Sequence, residues 1–256
     1  MSQREVKPLP PLKRRWAGRD GQRLAREVVL CLLTGTKLDG LGLGQHGGRT
    51  DLRGLWLASA RGLPGPRLAG GLEGVPAAAG VTWSGLDLSG ATFRLDLEAA
   101  VVVNSLFDRV GWQGWRVSRS ALQDCSFAGA DLRDASFDHG NTGLPGDAAA
   151  QEPTSYLRCS FARTRTGPYA SWGQAHFNNC EFDSTKFTSP HWFRGAELTD
   201  CTFRGQFRDV IFGLPNPGDQ QAPRISGVDV RDATFEDLTL MIHRGTGLIR
   251  AGNGNP

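Results

Sequence analysis

The stretch from Leu95 to Phe137 reads LDLEAAVVVNSLFDRVGWQGWRVSRSALQDCSFAGADLRDASF, and it repeats with a period of five residues. Every fifth position holds a large apolar residue, and the position two places earlier is mostly small. The large series is Leu97, Val102, Phe107, Trp112, Val117, Leu122, Phe127, Leu132 and Phe137. The earlier series is Leu95, Ala100, Ser105, Val110, Trp115, Ser120, Cys125, Ala130 and Ala135. A period of five fits neither the 3.6-residue repeat of a helix nor the two-residue alternation of a strand.

A coil of four short sides satisfies this period, because two residues of each pentapeptide can then point into a shared interior. Each side would hydrogen-bond to the same side of the next coil, which pairs the backbone polar groups. Stacked turns of this kind are about 4.8 Å apart, the usual spacing of β-strands. We therefore predict an all-β solenoid of one domain, since a solenoid grows by stacking and needs no second core.

Four pentapeptides show the repeat most clearly: ADLRD (130–134), ASFDH (135–139), AELTD (196–200) and CSFAG (125–129). They resemble the A(D/N)LXX motif of the pentapeptide-repeat family. The resemblance covers roughly residues 36–240, with interruptions. It implies a right-handed quadrilateral parallel β-helix, and counting the sides along the sequence predicts about seven to eight coils.

Two segments precede the repeat. Residues 1–19 are rich in Pro, Lys and Arg, and we expect them to form a flexible basic arm. Residues 20–35 have apolar positions at helical spacing, so we predict a helix that is capped by Asp20, is stopped by Gly35 and covers the first coil.

The repeat itself is assigned to residues 36–242. Three stretches rich in Gly and Pro interrupt it, at about 61–80, 138–155 and 213–223, and we predict a loop at each. Residues 243–256 are expected to form a C-terminal tail.

Four of the five cysteines share one context, in which a Phe follows two residues later. Cys125, Cys159, Cys180 and Cys201 are 34, 21 and 21 residues apart. The first spacing is one 20-residue coil plus a 14-residue insertion, and the others are one coil plus one residue. We predict that the four cysteines stand in one column. Because no paired C-x-x-C occurs, we interpret them as small buried residues rather than as a metal site or disulfides.

The extra residue of these longer coils can be located from the apolar series. The series takes a six-residue step from Thr166 to Trp172 and again from Phe187 to Phe193. Both steps fall at the same corner, which keeps stacked coils in register.

The charge is uneven along the chain, although the net charge is only +3. Residues 1–37 contain nine Lys or Arg and three acidic residues, so they carry +6 and the rest of the chain carries −3. No segment reaches the roughly 18 apolar residues of a membrane span. No apolar signal region precedes Arg23. We expect no membrane association and place the protein in the cytoplasm.

The sequence offers little for catalysis. The five histidines are scattered without metal-ligand spacing, and no glycine-rich loop has the phosphate-binding pattern. No nucleophile, base and orienting group occur together. We predict a protein that is not an enzyme, with no catalytic residue, no metal and no cofactor.

A protein-interaction function is the main hypothesis: a rigid scaffold, or an inhibitor or immunity-type binder, whose partner is another protein. The residues expected to contact this partner lie in the basic arm and in the second insertion. They are Lys13, Arg14, Arg15, His139, Asn141 and Asp147. An uncovered C-terminal coil around Leu240 would also favour end-to-end pairing into a homodimer.

Two alternatives belong to other classes. The resemblance implies that the chain could mimic B-form DNA, bind a type II topoisomerase such as DNA gyrase and protect it against inhibitors. Such a mimic should be strongly acidic, whereas the repeat here carries only −3. Direct nucleic-acid binding by the basic arm would be weak and salt-dependent, and no stacking module accompanies it, so we do not expect it.

Overall fold

The five-residue period is confirmed by burial in the computed structural model. The structure describes residues 11–64, 75–139, 152–167, 169–183, 186–187, 191–193, 195–208, 210–212, 224–236, 239–240 and 249–250. All nine large residues of the series from Leu97 to Phe137 are at most 1% exposed, and all nine earlier residues are at most 3% exposed. Both predicted positions of each pentapeptide therefore point inward.

Successive pentapeptides form the four faces of a parallel β-helix. Leu97 pairs with Val117, and Val102 pairs with Leu122, so the chain passes four pentapeptide sides and then returns to the same ladder. The coil before these is one residue shorter, as the pairing of Ala78 with Leu97 shows. The predicted all-β parallel β-helix is confirmed.

Face 1 is the ladder that contains Leu97 and Val117. Its strands are Ala77–Ala79, Asp96–Glu98 and Val117–Ser118. It continues through single bridges from Arg116 to Ser136 and from Ser136 to Ser171. The stacked rings of Trp172 and Phe193 lead on to strands His191–Phe193, Val210–Phe212 and Thr239–Leu240.

Face 2 is a seven-stranded parallel sheet. Its strands, in spatial order, are Thr82–Ser84, Val101–Val103, Ala121–Gln123, Ser155–Leu157, His176–Asn178, Glu197–Thr199 and Ile225–Ser226. The outward residues of this face are mostly uncharged, and Val101 is 43% exposed.

Face 3 begins with a short antiparallel hairpin of strands Gln45–His46 and Arg49–Asp51. The second of these pairs in parallel with Leu86–Asp87, and the ladder continues by single bridges through Leu106, Ser126 and Ser160. Its later strands are Glu181–Asp183, Thr202–Arg208, Val228–Glu236 and Ile249–Arg250.

Face 4 is the least regular ladder. Single bridges join Gly111 to Asp131 and Asp131 to Arg165, and strand Arg165–Thr166 then pairs with Lys186–Phe187. The long strands Thr202–Arg208 and Val228–Glu236 run from face 3 onto face 4, and Phe207 pairs with Phe235 in the face 4 part.

The predicted six-residue steps are confirmed by the register. Asp131 bridges Arg165, and Ser136 bridges Ser171. The chain therefore takes five steps from Asp131 to Ser136 but six from Arg165 to Ser171, so the extra residue falls within the step from Thr166 to Trp172. Because Thr166 pairs with Phe187, and Trp172 stacks on Phe193, the next coil takes its extra residue at the same corner.

Columns of aromatic rings fill the interior. One column stacks Phe107, Phe127, Phe161, Phe182 and Phe203, with centroids 4.7–5.1 Å apart. Face 1 contributes a second column, in which Phe137 lies 4.2 Å from Trp172. A buried aromatic side chain removes a large apolar area from water, so these columns supply much of the driving force for folding.

The four cysteines stand in one column, as predicted. Cys125, Cys159, Cys180 and Cys201 are at most 2% exposed, and none forms a disulfide. Each thiol donates to the carbonyl two residues before it. Hydrogen bonds between neighbouring thiols, together with burial, raise the pKa of Cys159 and Cys201. The thiols of Cys159 and Cys201 therefore stay protonated and unreactive.

A helical cap covers the first coil. Helix α1 spans Pro11–Arg14 and helix α2 spans Gly18–Thr34. The buried residues of α2 are Ala25, Val28, Val29, Leu32 and Leu33. Trp83 of the repeat donates its indole N–H to the carbonyl of Leu32 at 3.0 Å, which ties the cap to face 2.

The start of this cap differs from the sequence-based expectation. Helix α2 begins at Gly18 after Ala17, which makes no side-chain cap, so Asp20 lies in the first turn instead of capping it. The C-terminal end is as predicted, because Gly35 adopts the left-handed conformation with φ 68°.

Part of the predicted flexible arm is ordered. Trp16 is fully buried and donates to the carbonyl of Arg53 at 2.9 Å, which anchors residues 11–19 on the first coil. One large apolar side chain thus outweighs the surrounding charges. Residues 1–10 of the arm lie outside the described residues.

The boundaries of the repeat and of its insertions differ slightly from the predicted ones. Strand Ala77–Ala79 lies inside the predicted first insertion, and strand Ser155–Leu157 begins at the last residue of the second. Strand Ile249–Arg250 pairs with face 3 from within the predicted tail. The third insertion, 213–223, lies outside the described residues, so the division of the chain into these segments stays a prediction.

Candidate interaction face

The described residues that flank the three predicted insertions lie on or next to face 1. The first leads into strand Ala77–Ala79, the second follows Phe137, and the third follows strand Val210–Phe212. After the second and third insertions the chain resumes on face 2, at Ser155 and Ile225. This arrangement follows from the register of the coils, because each insertion is placed at a corner of the same ladder.

The base of the second insertion is closed by a buried carboxylate. Asp138 is 3% exposed, and its Oδ1 accepts hydrogen bonds from the backbone N–H of Thr154 at 3.0 Å and from its hydroxyl at 2.9 Å. Its Oδ2 accepts from the backbone N–H of Gln174 at 3.2 Å. The phenol of Tyr156 donates to the carbonyl of Phe137 at 3.0 Å. The two ends of the insertion are therefore fixed to each other and to the next coil.

A cluster of buried charges lies on the outer side of face 1, in the coils that precede this clamp. The side chain of Arg94 is 9% exposed and that of Asp96 is 2% exposed, and Arg94 Nε lies 3.1 Å from Asp96 Oδ1. The same carboxylate oxygen accepts from the backbone N–H of Arg116 at 3.1 Å. Arg94 also donates Nη1–H to the carbonyl of Gln113. Asp96 thus contacts the guanidinium of Arg94 and the backbone of Arg116.

Burial controls the electrostatics of this cluster. Burial raises the pKa of Asp96, and Arg94 opposes that change. Burial likewise lowers the pKa of Arg94, against the attraction of Asp96. Among the described residues no hydrogen-bond partner is found for two buried guanidinium nitrogens, Arg94 Nη2 and Arg116 Nη1. Buried donors of this kind are uncommon in folded proteins.

His139 is the one residue of the predicted second-insertion set that the structure describes. It is half-buried beside this cluster, and its charge lowers the pKa of Asp96. Its backbone N–H donates to the carbonyl of Val117 on face 1. Asn141 and Asp147 lie outside the described residues.

The predicted basic residues lie elsewhere. Arg15 Nη1 forms an ion pair with Asp51 at 2.9 Å on the first coil of face 3, and its guanidinium stacks on Trp16 at 4.4 Å. Lys13 and Arg14 form the end of helix α1 beside it. Because Arg15 is engaged within the cap, the structure does not bring this basic group together with His139.

Face 3 shows a different pattern, in which outward carboxylates have cationic partners. Asp51 pairs with Arg53 at 2.9 Å, and Asp229 pairs with Arg231 at 2.5 Å. Glu181 pairs with Arg204 of the next coil. Although burial raises it, hydrogen bonds from Arg53 bring the pKa of Asp51 down to about 2. These charges are mixed and neutralised along the face.

Arg94, Asp96 and Arg116 were not predicted as site residues. Outward positions of the repeat were expected to face solvent, and nothing in the five-residue period distinguishes one outward charge from another. A weak signal was available in the four-residue step from Phe93 to Leu97, which leaves Arg94 at a corner with one residue fewer.

The described residues contain neither a candidate metal site nor a candidate membrane-spanning helix. They contain no group of three or more His, Cys, Asp or Glu residues that could hold a metal ion. Within the same ranges, no helix has the length and apolar character needed to cross a lipid bilayer.

No family model matches the sequence, and no curated protein is significantly similar to it. Solved structures do resemble it. A pentapeptide repeat protein from the cyanobacterium Cyanothece is 10% identical, covering 68% of this chain and 91% of its own, with a TM-score of 0.29. A trypsin-treated form of QnrB1, a plasmid-mediated fluoroquinolone resistance protein, is 16% identical, covering 65% and 82%, with a TM-score of 0.31.

A third structure is HetL from the cyanobacterium Nostoc, a pentapeptide repeat protein involved in regulating heterocyst differentiation. It is 14% identical and covers 67% of this chain and 74% of its own, with a TM-score of 0.22. At such TM-scores these likenesses carry no argument about function. The five-residue repeat, its two inward positions and its coil-to-coil register show that the chain folds as a parallel β-helix whose sides are pentapeptides.

Proposed function

We propose that this chain is a non-enzymatic protein-binding rod that contacts a protein partner through face 1 and the insertions beside it. The observation that carries the proposal is that the described residues flanking the three predicted insertions lie on or next to one ladder. A solenoid can place insertions on any face, because the coil constrains only the inward residues. Grouping around one face is typical of a binding surface built on a rigid scaffold.

The local geometry supports this proposal. Asp138 fixes both ends of the second insertion, so residues between them are presented from a defined base. The cluster of Arg94, Asp96 and Arg116 lies beside that base and gives the face a charged centre. A binding surface needs such positioned polar groups for orientation and specificity.

The experiment is affinity capture with a variant in which residues 140–151 are replaced by a short Gly-Ser link. This change keeps Asp138 and Thr154, so the clamp and the coil register are retained. We expect a protein that binds the intact chain to be lost from the variant, while thermal unfolding of the two proteins remains similar.

Val101→Glu is the matched control, because Val101 is exposed on face 2 and a substitution there leaves face 1 intact. The control should retain the partner. If the partner binds the Gly-Ser variant normally but is lost from Val101→Glu, the binding surface is face 2 and the proposal is wrong.

DNA mimicry remains the alternative function, and the charge pattern gives it less support. A mimic needs unneutralised carboxylates along its length. On face 3 the carboxylates of Asp51, Glu181 and Asp229 are instead paired with arginines. A supercoiling assay with purified DNA gyrase separates the two functions: we expect unchanged gyrase activity, whereas the mimic predicts inhibition or protection from a gyrase-directed drug.

A further inference from the structure

The cluster on face 1 contains more buried donors than acceptors. The described residues provide no acceptor for Arg94 Nη2 or Arg116 Nη1, although each atom is out of contact with solvent. Arg94 Nε lies 3.1 Å from Asp96 Oδ1, so this nitrogen already has a charged neighbour. A buried donor without an acceptor is costly, so the cluster would gain from a group that supplies acceptors.

The charges of the cluster also favour binding of a negatively charged group. The guanidinium of Arg94 pairs with Asp96, and Arg116 and His139 lower the pKa of this carboxylate as further positive charges. The cluster therefore has an excess of positive charge. A single negatively charged group would neutralise that excess.

The geometry of guanidinium selects the kind of anion. Its N–H donors form a planar fork that matches the two oxygens of a carboxylate. Arg116 and His139 are half-buried, whereas the side chains of Arg94 and Asp96 are 9% and 2% exposed. A partner's carboxylate would therefore approach these donors from the side of Arg116 and His139.

We propose that Arg94 and Arg116 form a carboxylate-binding site for an acidic side chain of the protein partner. The site uses the Nη2 donor of Arg94 and the Nη1 donor of Arg116, and Asp96 holds the side chain of Arg94 and the backbone of Arg116 in position. This inference rests on the proposed function for the role of face 1, but its test does not require the partner.

The probe is a capped hexaglutamate peptide, with hexaglutamine as the uncharged comparison. Side-chain Nε–Hε signals of Arg94 and Arg116 would be followed by NMR during titration of the full-length protein, after assignment with Arg94→Gln and Arg116→Gln. We expect hexaglutamate, and not hexaglutamine, to shift both signals. Affinity should fall about tenfold in Arg116→Gln, the loss expected for one charged hydrogen bond.

Arg119→Gln is the matched control. It removes the same charge three residues further along the chain, at a side chain that is already paired with Glu98 at 2.5 Å. The affinity of this variant for hexaglutamate should stay within about twofold of the intact protein. Arg116→Lys, which keeps the charge and one donor, should lose less affinity than Arg116→Gln.

Three outcomes would overturn the inference. The first is the absence of any shift with hexaglutamate. The second is an equal loss of affinity in Arg116→Gln and Arg119→Gln, which would indicate non-specific attraction. The third is an equal response to inorganic phosphate, which would indicate a site for any oxyanion. None of these outcomes tests partner capture, so the proposed function could still stand.

Discussion

Face 1 and face 3 are built on the same interior and differ in how their outward charges are satisfied. On face 3, Asp51, Glu181 and Asp229 are each paired with an arginine. On face 1, Asp96 is buried against the side chain of Arg94 and the backbone of Arg116, and both arginines retain unmatched donors. The difference shows that the coil determines the inward residues only. A face closed by its own ion pairs has little to offer a partner, whereas a face with spare donors does.

The largest effect should come from the interior that both faces share. Phe137 stacks on Trp172 at 4.2 Å behind face 1, and Phe161 stacks between Phe127 and Phe182 at 5.0 and 5.1 Å behind face 3. Phe137→Ala and Phe161→Ala should each lower the free energy of unfolding by about 3–5 kcal/mol, because each leaves a cavity. Urea denaturation measures both.

The exposed Val101→Ala serves as the control and should change the free energy of unfolding by less than about 0.5 kcal/mol. If Phe137→Ala costs much less than Phe161→Ala, the interior behind face 1 is looser than that behind face 3. The two faces would then differ in packing as well as in charge.

A smaller effect is expected from the carboxylates that accept backbone hydrogen bonds. Asp138→Ala on face 1 should cost about 2–3 kcal/mol, since it leaves the buried donors of Thr154 and Gln174 without an acceptor. Asp108→Ala on face 3 should cost about 1 kcal/mol, because Asp108 is only partly buried where it accepts from Ala128 and Ser126. Thermal and urea unfolding would compare them.

Asp138→Asn keeps one acceptor oxygen and should lose less stability than Asp138→Ala. Equal losses for Asp138→Ala and Asp108→Ala would contradict the role of Asp138 as the clamp of the second insertion.

The smallest effect is a difference in pH dependence. The folded pKa of Asp51 is lowered to about 2, so its stabilisation is present above the unfolded pKa of about 4 and is lost as pH falls towards 2. The folded pKa of Asp96 is raised, so its ionisation opposes folding as pH rises above its ordinary value of 3.8. The stability differences from wild type of Asp51→Asn and Asp96→Asn should therefore change with pH in opposite directions.

Urea denaturation of the three proteins at several pH values between about 3 and 7 measures these differences. Parallel changes for the two variants would mean that Asp96 is as well solvated and paired as Asp51. The electrostatic contrast between face 1 and face 3 would then disappear.

The fold could be predicted from the sequence because the interior of a solenoid repeats. The spacings of Cys125, Cys159, Cys180 and Cys201 were sufficient to place the coils in register, including the extra residue of the longer ones. The ordered structure around Trp16 was not predicted, because the prolines and charges indicated a flexible arm. A single buried indole forms no repeating sequence pattern that would reveal its burial.

The candidate site was predictable only in part. His139 was identified because it borders an insertion, and a border is visible in the sequence. Arg94 and Arg116 were missed because they are distant in sequence, and only the stacking of successive coils brings their surroundings together. Asp138 looked like the first residue of a loop, since its partners Thr154 and Gln174 are also distant in sequence.

The clamp at Asp138 has a consequence for how this rod can change. Asp138 accepts hydrogen bonds from the backbone of Thr154 and Gln174. We therefore expect the coil at the base of the second insertion not to depend on the sequence between residues 139 and 152. Lengthening a closed loop adds only a slowly growing entropic cost, about 0.6 kcal/mol for each doubling. The position is therefore a natural grafting site, where foreign peptides of different lengths can be displayed on an unchanged scaffold.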